Sequence, residues 1–186
     1  MKRIVAALCL LIILAGCAGS GGEMDRAMAL RSKLLAGKGV SFETEITADY
    51  GDKFYTFSMG CETDAQGNLN FTVLAPTSIE GITGTVAQGS GKLTFADQAL
   101  AFDIMADGQV SPVSGPWVLM KALRSGYLTS CDTEGDMLRL AVDDSYEADA
   151  LHLDVWLGEQ DAPVRGEIFW QGRRILSLEV KNFKIL

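Results

Sequence analysis

The sequence predicts a mainly β domain in which one antiparallel sheet packs on a single face beneath two helices. Three observations carry this. Apolar and polar residues alternate with period two in about eleven short runs. Clusters of Gly, Asn, Asp and Gln separate those runs as turns do. Only two stretches, Met24–Ala36 and the one opened by Ser114, keep the three- and four-residue spacing of an amphipathic helix. A length of 186 residues suits one domain, and a hydrophobic share of 48% is too high for a disordered chain.

The first element is an address. Met1-Lys2-Arg3 precedes an apolar run from Ile4 to Gly16, the anatomy of an export signal. That run is shorter than the roughly 20 residues a bilayer-spanning helix needs. Leu14-Ala15-Gly16-Cys17 resembles the lipobox of bacterial lipoproteins, so residues 1–16 read as a signal peptide and Cys17 as the lipidated residue. Residues 17–23 then form a Gly/Ser tether ahead of a domain over 24–186. Cleavage removes Lys2 and Arg3 and no acid, leaving 14 positive against 24 negative charges, a formal −10. So acidic a surface does not bind anionic headgroups by charge, and attachment to membrane lipid rests on the acylated Cys17. The expected location is exported and lipid-anchored to the cell membrane, or to the outer membrane of a two-membrane host.

Within the domain, Ala27, Leu30 and Leu34, with Met28 and Leu35 beside them, form the apolar stripe of the first helix, and Gly37 and Gly39 end it. Strand patterns follow at 40–48, 55–61, 69–75, 82–86, 93–95 and 100–104. Ser114-Gly115-Pro116 opens the second helix, which Trp117, Met120 and Leu123 continue and Gly126 closes. Alternation resumes at 128–131, 137–142, 151–157, 164–170 and from Ile175 to about Ile185.

No catalytic motif survives scrutiny, and the expectation is a protein that is not an enzyme, with neither cofactor nor metal. His152 and Asp154 share a strand face, but no Gly-x-Ser-x-Gly elbow accompanies them, and a solvent-facing polar position explains His152. Asp143 to Asp149 lacks the spacing and glycine of a calcium loop. Gly84 to Lys92 fails as a phosphate loop, with Val86 where Gly is required and Leu93 where Ser or Thr is. The acidic balance excludes nucleic acid as a partner.

Of four cysteines, Cys9 leaves with the signal and Cys17 is acylated, leaving Cys61 and Cys131. In an oxidising compartment the expectation is a disulfide between them, the alternative being two separately buried thiols. What remains is apolar surface on one side of the sheet. Phe42, Tyr55, Phe57, Phe71 and Phe102, facing Trp117 of the second helix, are the candidate ligand-binding residues.

Several phrases carry a family resemblance: Val40-Ser41-Phe42-Glu43-Thr44-Glu45; Phe71-Thr72-Val73-Leu74-Ala75-Pro76 leading to Ile79-Glu80-Gly81-Ile82; Val155-Trp156-Leu157 to Pro163; and Leu178-Glu179-Val180-Lys181-Asn182-Phe183. With the order helix, six strands, helix, five strands, the chain resembles the LolA/LolB-like lipoprotein carriers, including the clostridial LolA-like lipoproteins similar to GerS. The resemblance implies an eleven-stranded antiparallel half-barrel lidded by helices, whose apolar concave side accepts acyl chains. Two functions follow as expectations. One is a membrane-anchored binder or carrier of an acyl chain or lipoprotein. The other is a non-enzymatic envelope protein whose core is filled and whose surface docks a protein partner.

Overall fold

The computed structural model describes residues 21–96, 98–106, 109–147 and 149–186. The signal segment, Cys17 and the start of the tether lie outside the described residues.

Helix α1 runs Gly21–Ala36, beginning three residues earlier than its periodicity suggests. Ala27, Leu30 and Leu34 are buried, whereas Met28 and Leu35 are exposed, so the stripe is narrower than expected. Strands β1 (Gly39–Asp49), β2 (Phe54–Asp64), β3 (Leu69–Ala75), β4 (Thr83–Ala87), β5 (Ser90–Phe95) and β6 (Gln98–Asp103) follow as a meander. A small hairpin, β7 (Met105–Ala106) and β8 (Gln109–Val110), and a 3-10 turn at Pro112–Ser114 lead into α2 (Gly115–Ser125). The second meander is β9 (Tyr127–Glu134), β10 (Met137–Asp143), β11 (Leu151–Leu157), β12 (Pro163–Trp170) and β13 (Arg173–Ile185). No helix among the described residues is long and apolar enough to cross a membrane.

Eleven strands form one open antiparallel sheet in the order β6-β5-β4-β3-β2-β1-β13-β12-β11-β10-β9. This is the half-barrel sheet expected. The two meanders join where β1 pairs with β13, with Thr44 opposite Val180 and Ile46 opposite Leu178. Because facing residues of paired strands project to one side, the register lays out rows across the sheet. One row runs Phe42–Cys61–Phe71–Gly84–Leu93–Leu100 on the inner face. Gly84 is in that row for a steric reason: a Cβ there would lie 2.5 Å from the Phe71 ring and from the Lys92 carbonyl oxygen. Gly91 leaves room for the Phe102 ring in the same way.

Helix α2 presses Val118, Leu119, Met120, Ala122 and Leu123 into the core, together with Leu140 and Leu153 of the second meander and Leu176 and Leu178 of β13. Arginines bind the two helices to each other reciprocally. The Arg31 guanidinium of α1 donates to the carbonyls of Leu123 (2.9 Å), Ala122 (3.3 Å) and Gly126 (2.8 Å) at the end of α2. Arg124 of α2 donates to the carbonyl of Leu34 near the end of α1 (3.0 Å) and to that of Ala65 in the β2–β3 turn (2.7 Å). Each cation thus sits at carbonyls of the negative, C-terminal end of the other helix.

Candidate functional site

Of the six residues the sequence nominates for a ligand, Phe42, Tyr55, Phe57, Phe71 and Phe102 lie on the inner face of the sheet and Trp117 on α2, though not as one open cavity. Phe42, Phe57 and Phe71 are 3%, 8% and 4% exposed and belong to a continuous core with the α2 leucines. Phe102 and Trp117 are half-buried against that core. Tyr55 has the inner-face parity, opposite Ala48, but lies near the end of β2, half exposed and 6.1 Å from the Tyr50 ring. Burial raises the Tyr50 hydroxyl above its ordinary value, with Tyr55 adding to the effect, and that hydroxyl donates to the Val110 carbonyl (2.9 Å).

Open space lies beside Trp117. On one side a cleft of about 320 Å³ is walled by Ile104, Met105, Trp117, Val118 and Leu151. On the other, a cleft of about 430 Å³ runs between Leu35, Trp117 and the tips of the β2–β3 and β4–β5 hairpins. Trp117 and Lys121 line both. The Lys121 ammonium stands 5.5 Å from the Trp117 ring centre and 3.5 Å from Asp144. The smaller cleft sets an apolar wall beside Lys121, with Asp103 and Asp144 also in its lining, whereas the larger is mostly polar apart from Leu35 and Trp117. Lys121 is a cleft-lining side chain that the sequence pattern does not single out; its one signal is position, one helical turn after Trp117.

Toward β6 the inner face is uncovered. Phe95 and Leu100 are 52% and 63% exposed, and by register both face inward, beyond the reach of α2.

The outer face of the second meander is closed by polar groups. Trp156 is buried between the guanidiniums of Arg139 (5.8 Å) and Arg165 (4.6 Å), and its indole donates to Glu134 (3.0 Å). Buried Glu167 accepts from Arg165 and from Arg174 (2.7 Å), and buried Asp154 accepts from Arg139 (2.8 Å). That hydrogen bond to Asp154 raises the Arg139 guanidinium above its ordinary value. His152 sits in this lattice, on the outer face, donating from Nδ1 to Asp143 (2.7 Å).

The expected disulfide is corrected: Cys61 and Cys131 are both free. Cys61 is on β2 and Cys131 on edge strand β9, with β1, β13, β12, β11 and β10 between them. Six strand spacings amount to roughly 28 Å along the sheet, far beyond the Cα separation a disulfide tolerates. Burial pushes the Cys61 thiol well up; desolvation, then Asp132 and Glu23, raise that of Cys131, whose sulfur lies 3.9 Å from that of Met24.

No family model matches the sequence, and no curated protein matches it significantly. Among solved structures, the chain is similar to a LolA superfamily protein from Nitrosomonas europaea at 11% identity and a TM-score of 0.45, over 86% of this chain and 93% of that one. It is similar to a DUF1329 family protein from Desulfovibrio piger at 9% identity and a TM-score of 0.49, over 88% and 92%. It is also similar to the lipoprotein LppX from Mycobacterium tuberculosis at 11% identity and a TM-score of 0.42, over 87% and 93%. At these identities the likeness is one of chain path, and the site rests on this chain's own residues.

Proposed function

We propose that this chain is a bacterial envelope lipoprotein, anchored through acyl chains on Cys17, that binds an apolar ligand beside α2. The ligand class is an acyl chain, of a lipid or of another lipoprotein. The observation that carries the reading is the cleft walled by Ile104, Met105, Trp117, Val118 and Leu151, at about 320 Å³. That volume lies at the low end of the roughly 300–1,000 Å³ of ligand pockets. Apolar walls that water hydrates poorly favour such a ligand.

A specific observation favours a second reading. Phe42, Phe57 and Phe71 are already packed, so the space between sheet and α2 is filled. On that reading the core is structural and the protein docks an envelope partner by its surface.

A fluorescent fatty acyl probe separates the two. Binding by the wild-type protein that is lost in Trp117→Ala, with an unchanged melting temperature, supports the cleft. Absence of any binding by wild type leaves the partner reading. Anchoring is tested independently: Cys17→Ser is expected to release the protein from the membrane fraction or to leave an uncleaved precursor, and normal processing with full retention contradicts it.

A further inference from the structure

The two edges of the sheet are guarded very differently. At β9, Asp132 and Glu134 put charge on the strand, a register shift falls between Ala141 and Val142 of its neighbour, and α1 lies alongside, with Thr133 donating to Glu23 (3.4 Å). Bulges, charges and a covering helix are the usual protections of an edge. At β6, among the described residues, there is no register shift and no covering helix, and the strand's one charge is Asp103 at its end. Gln98 to Phe102 carry no charge and no proline, and β6 pairs with β5 over Gln98–Asp103 without interruption. Half of the main-chain donors and acceptors of such a strand point away from the sheet. Among the described residues, no turn or loop main chain hydrogen-bonds to Gln98–Asp103.

We infer that β6 is a docking edge that takes an extended segment of another polypeptide as a twelfth strand. Side chains beside the edge define that segment. Leu100 and Phe102 face inward and Ala99 and Ala101 outward, which calls for apolar residues at alternate positions of the partner. On the outer face a groove of about 420 Å³ is floored by Ala99 and Ala101 and bordered by Lys92, which is opposite Ala101 on β5. Two alanines leave an open lane from the ammonium to the edge, so an acidic residue is favoured where the partner faces that lane. A second copy of this chain is disfavoured: each carries a formal −8, or −10 after cleavage before Cys17, and pairing two six-residue strands buries much less than the about 1,200–2,000 Å² of a stable interface.

The probe is a short acetylated, amidated peptide alternating Val and Thr with Glu at its centre. Its counterparts carry Lys in place of Glu, or N-methyl groups on alternate amides that block a ladder. With the full chain, the Glu peptide is expected to bind roughly tenfold tighter than the Lys peptide, to lose binding on N-methylation, and to slow amide exchange at Gln98–Asp103. Lys92→Glu reverses the order of the two peptides. Ala101→Glu, which fills the lane with a carboxylate, weakens the Glu peptide by a similar factor, so the proposal does not hang on one variant. Circular dichroism confirms that both variants fold. Exchange protection at β9 or nowhere, or a peptide preference indifferent to both variants, overturns the proposal. Dimerisation with β6 protected in the absence of peptide overturns it too, by giving the edge to a second copy. None of these readouts involves an acyl probe, so they stand apart from the cleft reading.

Discussion

From β9 to β13 the sheet is finished on both faces: α2 covers its inner side, and the Arg139–Trp156–Arg165 stack with its carboxylates closes the outer. From β1 toward β6 the finish thins. Phe42, Met59 and Phe71 are buried, yet two and three strands beyond Phe71 the inner face ends in exposed Phe95 and Leu100. Folding requires the first region. The second is left with apolar surface and a free edge that folding does not require, and such surface marks where a molecule meets something else.

The contrast is sharpest in paired truncations. Phe71→Ala is expected to cost about 3–5 kcal/mol, because a ring lying over Gly84 leaves a void that neighbours fill only partly. Leu100→Ala, in the same cross-strand row, is expected to cost under about 0.5 kcal/mol. Urea unfolding of both measures the difference; equal losses would mean that the β6 end is packed after all. Next in size is Arg31→Ala, expected to cost about 2 kcal/mol through its charged hydrogen bonds to the end of α2. If the helices serve only the second meander, amide exchange in that variant rises around α2 and not in β3 or β4.

Smaller still is the effect of acid on the hairpin turns of the first meander. Desolvation works to raise the Asp64 carboxyl, but hydrogen bonds from the Asn68 side chain and main chain, and from Gln66 and Gly67, outweigh it and hold the carboxyl below its ordinary value. The Gly51 amide and Arg173 lower Asp49 likewise. A carboxyl whose value is lower folded than unfolded stabilises above the unfolded value of about 3.9 and loses that contribution as pH falls through the folded one. Melting temperature should therefore fall more steeply below pH about 4 in wild type than in Asp64→Asn; parallel curves would remove the turn from the account.

Much of this contrast was legible in the sequence. Alternation along Val40–Ala48 and Leu69–Val73 fixed which side chains face inward, and Pro116 marked the start of α2. Facing was legible and covering was not. Tyr55 has the right parity but is left half exposed, since the position of α2 depends on packing among distant segments. Met28 and Leu35 look like stripe residues until the placement of α1 leaves them outside. The cysteine pairing failed for a topological reason: nothing local announces that β1 pairs with β13 and inserts five strands between Cys61 and Cys131. The Arg31 and Arg124 contacts escaped because a basic residue on a helix gives no hint of whose carbonyls it meets.

The most direct test of the central claim is native mass spectrometry of the full chain purified from its own cells, followed by lipid extraction. A binder of acyl chains should carry co-purified lipid, bound one to one, and Trp117→Ala should emerge without it while melting normally. Wild-type protein that is lipid-free beyond its own anchor, and that takes up no acyl probe, would contradict the claim.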